Sequence, residues 1–138
     1  MNPATTEFIR QRFTEHYKKA VLVSPPALEQ REWGFVLFSP GTDMRMRRHI
    51  GFTGRDELFD YIRNIVPQHT YYSTAYYEKP DAGTMGDKGW CGADLIFDLD
   101  ADHIIRGPYD LMLARVKEET EKLLSILTME LGMDKKAI

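Results

Sequence analysis

The sequence has a single cysteine, Cys91. One thiol cannot form an internal disulfide, so the fold must stand on a packed core, and nothing points to a secreted, disulfide-stapled scaffold. Cys91 is expected to be a small, half-buried thiol beside Trp90. No apolar run approaches the roughly 20 residues that cross a bilayer, and the N-terminus lacks an apolar stretch of signal-peptide type. The expected location is therefore cytoplasmic, with no membrane partner. An excess of basic residues is also missing: 18 Lys and Arg stand against 21 Asp and Glu, a net charge of −3. That balance argues against wholesale coating of nucleic acid but leaves room for a local basic strip. His16, His49, His69 and His103 are scattered and make no helical metal-ligand pair. No serine sits in a nucleophile elbow. The loop from Asp81 to Gly89 contains Gly83, Gly86 and Gly89 but is no Walker loop, because Lys88 precedes Gly89 and no Ser or Thr follows. It is expected to be a plain connection.

At 138 residues, 43% hydrophobic and 28% charged, the chain suits one folded domain over residues 1–138. It shows no internal repeat, low-complexity segment or domain linker. The rest is organised around Ala93 to Asp102. Taken with a period of two, Ala93, Leu95, Phe97, Leu99 and Ala101 form an apolar set, and Asp94, Asp98, Asp100 and Asp102 with Ile96 form the opposite one. A strand of this kind buries one face and lines the other with carboxylates. Asp98 and Asp100 would then sit roughly 6–7 Å apart at Cα and repel by about 2–3 kcal/mol at an effective dielectric near 20. A divalent cation removes that repulsion, and Mg²⁺ is commonly held by one or two carboxylates plus substrate phosphates. The plainer alternative, solvated turn-forming acids at a strand end, fits Asp94 and Asp102 better than Asp98 and Asp100.

Around this stretch the chain alternates helix and strand. Ile9, Phe13 and Tyr17 give a first helix, beginning near Thr5 or Thr6, one apolar stripe, and Pro25-Pro26 lies beyond its end. Arg31 to Phe38 is predicted to be a strand with Trp33, Phe35 and Leu37 on one face and Glu32, Gly34, Val36 and Phe38 on the other. A turn over residues 39–43 returns it as a second strand from Met44 to Phe52, a hairpin. The second strand's even positions, Met44, Met46, Arg48, Ile50 and Phe52, place Arg48 on an apolar face. An inward arginine needs an anion, either a carboxylate such as Glu32 or a ligand phosphate. A bulge that turns it outward is the alternative. Arg45, Arg47, Arg48 and His49 could track a phosphate backbone or form a solvated edge. Thr53 caps a helix from about Gly54 to Val66 with Leu58, Ile62, Ile65 and Val66 inward. His69 to Lys79 is predicted to be one strand whose tyrosines pack or stack on bases. A last helix is predicted over Tyr109–Leu131, burying Leu113, Val116, Leu123, Leu124, Leu127 and Leu131, with Gly132 at its C-cap. The expected class is α/β in the α+β sense: a mixed, mostly antiparallel sheet flanked by helices.

Four segments in order carry a family resemblance: Arg31-Glu32-Trp33-Gly34-Phe35, Arg48 to Phe52, Tyr71 to Pro80, and Gly89 to Asp100 with its Asp-x-Asp. Together they resemble the N-terminal part of the catalytic (small) subunit of DNA primase of the archaeal and eukaryotic type. The resemblance covers nearly the whole chain. It implies a polymerising nucleotidyltransferase that lays short RNA primers on a single-stranded DNA template from nucleoside triphosphates, with a large primase subunit as partner in a heterodimer. Asp98 and Asp100 match the two aspartates that hold Mg²⁺ or Mn²⁺, and Glu32 and Arg48 match polar residues near the nucleotide. Zinc is not expected, since the stretch from Asp102 to Pro108 has no cysteine where many members insert a zinc site. The family's third catalytic aspartate and its phosphate-binding segment are not in this chain, which implies a fragment of an incomplete catalytic domain, inactive alone. The alternatives are a non-catalytic module binding nucleic acid or a partner through the arginine hairpin and tyrosine strand, and a different metal-dependent nuclease or phosphotransferase.

Overall fold

The computed structural model describes residues 2–39, 45–101 and 107–137. They divide into two compact units, Met1–Leu95 and Ile96–Ile138. Helices and antiparallel strands are mixed along the chain, the class the alternating patterns predict.

The first unit opens with helix α1, Pro3–Lys19. It starts two residues earlier than Thr5 because Asn2 caps it, its side-chain oxygen accepting from the Ala4 N–H at 3.0 Å, with Pro3 in the first turn. Strand β1, Trp33–Leu37, is the centre of a three-stranded sheet. β2, Met46–Ile50, and β3, Pro67–Tyr72, flank it antiparallel. Helix α2, Arg55–Ile65, lies between them in sequence, and the Glu57 carboxylate accepts from the Thr53 N–H and hydroxyl, both at 2.8 Å, steadying its start. Trp33 and Phe35 from β1, Leu58 and Ile62 from α2, and Leu28 and Phe52 form the core. Tyr17 ties α1 to this body, its hydroxyl donating to the Pro67 carbonyl at 3.0 Å.

The pairing of β1 with β2 carries one irregularity that decides where the arginines go. Phe35 faces Arg47 and Val36 faces Met46, but Trp33 faces Ile50. Arg48 and His49 together stand opposite Gly34, a β-bulge, with His49 in the left-handed region at φ +58°. The bulge splits the even-numbered row that the sequence predicts for one face. Ile50 and Phe52 go to the core side with Trp33, while Met46 packs over Gly34 on the other face, where a Cβ on Gly34 would come within 3.1 Å of its sulfur. Arg48 stays on the Met46 side, 53% exposed along its side chain.

The tyrosine segment is two strands, not one. β3 ends at Tyr72, and β4, Ala75–Tyr77, pairs with β5, Trp90–Ala93, in a separate two-stranded sheet. Ser73 makes the switch, its hydroxyl donating to the Ala75 carbonyl and accepting from the Glu32 N–H. Arg31 fastens the two sheets together. Its guanidinium is buried, donates to the carbonyls of Pro26 and Ser73 at 2.8 Å each, to Asp94 at 2.7 Å and to the Tyr76 hydroxyl at 2.9 Å, and lies over the Tyr72 and Tyr76 rings.

The predicted ten-residue acidic strand does not form. β5 ends at Ala93, the Asp94 N–H makes one further bond to the Thr74 carbonyl, and residues 94–100 have no regular structure. Leu95, Ile96 and Phe97 are all exposed, so the alternation buries no face. A strand requires a neighbour for its backbone N–H and C=O groups. β4 is only three residues long, and among the described residues no strand continues beside 94–100. Asp102 lies outside the described residues, as does Met44 of the predicted second strand. Cys91, expected half-buried, is exposed.

In the second unit, helix α3, Tyr109–Ser125, continues as one π-helical stretch, Ile126–Glu130. Gly132 follows at φ +66°, the left-handed conformation a helix-ending glycine takes. Of the leucine-rich stripe only Leu127 is buried; Leu113 and Leu131 are exposed, and Val116, Leu123 and Leu124 are half-buried.

Phe35 is fully buried and Phe8 is 58% exposed, so Phe35→Ala is expected to destabilise the first unit by about 3–5 kcal/mol and Phe8→Ala by no more than about 0.5 kcal/mol. Urea unfolding followed through the fluorescence of buried Trp33 measures both; equal effects would contradict this core.

Candidate functional site

The candidate site of the first unit lies on the side of the three-stranded sheet away from the core. Strand alternation sends Trp33 and Phe35 inward and Glu32 and Gly34 outward, and the bulge keeps Met46 and Arg48 on that outer side. A cavity of about 250 Å³ opens there, lined by Glu32, Gly34, Met46, Arg48, Tyr71, Tyr72 and Ser73. Tyr71 and Tyr72 are about half exposed.

Glu32 is the buried anion at its base, only 6% exposed. One carboxylate oxygen accepts from Arg48 Nε at 3.2 Å and from the His49 N–H at 3.1 Å, and lies 3.5 Å from His49 Nδ1. The other lies 3.6 Å from Lys88 Nζ. The structure thus joins Glu32 to Arg48, the carboxylate partner the sequence offered, and it does so through the bulge the sequence offered as the alternative. Burial pushes the Glu32 carboxyl up, but the His49 N–H, the Lys88 charge and Arg48 outweigh it and hold it below the usual glutamate range. His49 Nδ1 is buried without a hydrogen-bond partner among the described residues.

Two buried cations lie outside the expected site, one against this carboxylate and one beside Glu32 only in sequence. Lys88, in the loop predicted to be a plain connection, is fully buried, with Nζ donating to the Pro80 carbonyl and lying 5.5 Å from the Tyr77 ring centre. The loop returns on itself at Gly89, φ +64°, where a Cβ would sit 2.9 Å from a Glu78 carboxylate oxygen. Arg31 is the other. Hydrogen bonds from Arg31 and Tyr76 hold the Asp94 carboxyl below the usual aspartate range.

Asp98 and Asp100 belong to the second unit. Both are exposed, with Leu99 between them half-buried. Two carboxylates one residue apart on exposed backbone are hard oxygen donors of the kind Mg²⁺ and Mn²⁺ take, with solvent and substrate oxygens able to complete the shell. Among the described residues no three His, Cys, Asp or Glu side chains gather into a metal-binding group. No described helix is long and apolar enough to cross a membrane.

A bulged antiparallel sheet with an arginine–glutamate–lysine cluster on its outer side, followed by an exposed Asp-x-Asp, defines a mixed α/β protein with an anion-facing site and an acidic one. Proteins similar over the whole chain are small subunits of DNA primase. The chain is 75% identical to that of Methanoregula boonei over all of its length, 60% to that of Methanosphaerula palustris over 99%, and 57% to that of Methanospirillum hungatei over all of it. It spans about 36–37% of the length of these curated relatives. No protein-family model matches it. The chain is homologous along its whole length to part of the DNA primase small subunit, the family its four ordered segments resemble.

The Glu32 and Asp94 carboxyls both titrate lower in the folded chain than unfolded. Each therefore contributes stability that is complete above its unfolded pKa, about 4, and is lost as pH falls through the folded value. Urea midpoints are expected to hold steady from neutral pH to about pH 5 and to drop below it. In Glu32→Gln the acid drop should be shallower; an unchanged pH profile in that variant argues against an ionised buried Glu32.

Proposed function

We propose that this chain is the N-terminal portion of a primase catalytic subunit, the part that presents nucleotide- and metal-binding groups for RNA primer synthesis on single-stranded DNA. The observation that carries the reading is the Asp-x-Asp at Asp98 and Asp100 within a sequence homologous throughout to primase small subunits.

Asp98 and Asp100 are the proposed ligands of Mg²⁺ or Mn²⁺. Held by these two carboxylates, such an ion would supply Lewis-acid activation of the primer 3′-hydroxyl and charge stabilisation at the leaving pyrophosphate. The chain's own residues supply position and charge. Arg48 offers its exposed guanidinium to a triphosphate. Glu32 has both oxygens engaged by Arg48, His49 and Lys88, so it orients Arg48 rather than touching the nucleotide. Tyr71 and Tyr72 give the same cavity half-exposed rings beside that charge. Nucleoside triphosphates and the template strand are the proposed substrates, the large primase subunit the proposed partner, and the cytoplasm the proposed site of action. No zinc role is proposed.

Because the chain spans little more than a third of its relatives, it is expected to bind Mn²⁺ without synthesising primers. Mn²⁺-induced broadening of NMR signals should centre on residues 96–101 and disappear in Asp98→Asn/Asp100→Asn. A primer-synthesis assay on single-stranded template should detect no product from residues 1–138 alone. Broadening that survives the double substitution removes the metal assignment. Single-stranded DNA binding that needs neither aspartate nor metal favours a non-catalytic binding module instead.

A further inference from the structure

Lys88 is a fully buried ammonium in a loop. Buried lysines are rare unless an opposite charge or several acceptors hold them. Here the partners are the Pro80 carbonyl, the face of Tyr77, and the Glu32 carboxylate oxygen turned away from Arg48. The charges arranged around Glu32 do not cancel. Glu32 brings −1, Lys88 and Arg48 bring +1 each, and the surplus falls on the member that is exposed. Arg48 uses only its Nε on Glu32. Neither of its terminal nitrogens has a hydrogen-bond partner among the described residues, and Arg48 lines the cavity with Tyr71 and Tyr72. If Glu32 had Arg48 as its sole cation, the pair would be neutral and the carboxylate would compete with any ligand anion for the guanidinium.

We propose that Lys88 is a positioning residue: it neutralises Glu32 from inside the fold, so that Glu32 can aim Arg48 while leaving the guanidinium's charge and its two terminal nitrogens for a phosphate group of the nucleotide. This rests on the nucleotide role proposed for Arg48 and extends it to a residue that never meets the ligand. It also gives Gly89 a purpose, since the positive-φ turn there follows directly on the lysine that the loop carries inward.

The test uses the 138-residue chain, inorganic triphosphate as probe at low ionic strength without divalent cations, and NMR titration of the Glu32 side-chain carboxyl carbon. Lys88→Met is expected to raise the Glu32 pKa by about one unit or more, the usual effect of losing an opposite charge at close range, and to weaken triphosphate binding about tenfold, the loss of one charge-assisted contact. Lys88→Met/Glu32→Gln should recover wild-type affinity within about threefold, because no carboxylate is left to compete. The double variant also removes both charged partners at once, so it keeps the test usable if the single variant does not fold. Arg48→Gln separates this proposal from the reading beneath it. Wild-type affinity in Arg48→Gln overturns the phosphate site itself. Lost affinity there, with a double variant that binds no better than Arg48→Gln, or a folded Lys88→Met whose Glu32 pKa does not move, overturns the role of Lys88 alone.

Discussion

A carboxylate buried in a sheet is tolerable only if cations and N–H donors surround it. Glu32 meets that condition with three neighbours from two places: Arg48 and His49 from the bulge in β2, and Lys88 from the loop before β5. The requirement reaches outward from there. The bulge must exist for the His49 N–H to turn toward Glu32. The loop must close at Gly89 for Lys88 to arrive. One residue back along the chain, just before β1, Arg31 makes the mirror arrangement, a buried cation served by Asp94, two carbonyls and a tyrosine. Adjacent residues of opposite charge thus fix what surrounds the start of β1, and they do so in opposite senses.

Core and site are two sides of one sheet. Trp33, Phe35 and Phe52 hold the inner side as a cluster of rings, edge to face where Phe52 meets the other two. The outer side carries the cavity and the charged cluster instead. Rigid packing below is what lets the charged groups above keep a fixed geometry; a sheet free to flex would let Arg48 wander.

Much of this was legible in the sequence where local pattern decides the outcome. The alternation of Trp33, Phe35 and Leu37, the inward face of α2 and the need of Arg48 for an anion all follow from periodicity and charge. Lys88 was not legible, because a lysine between an aspartate and a glycine in a loop looks solvated, and only the tertiary path brings it to Glu32. The break between β3 and β4 at Ser73 hid behind a continuous run of tyrosines and threonines suited to one long strand. The acidic strand was over-read. The alternation over 94–100 fits the side-chain pattern of a strand, but backbone groups need a neighbour that the pattern of one segment cannot supply. At α3, too, the heptad-like leucines describe a face without saying what covers it.

The bulge opposite Gly34 also sets a rule of parity. Before it, even-numbered side chains of β2 belong to the outer layer; after it, Ile50 and Phe52 belong to the inner one. A single deletion at either bulge position would leave Ile50 opposite Trp33 and Phe52 on the inner side, but only one residue would then stand where Arg48 and the His49 N–H now both meet Glu32. The extra residue in this hairpin thus serves the buried carboxylate rather than the aromatic core, and its place in the chain is set by charge, not by packing.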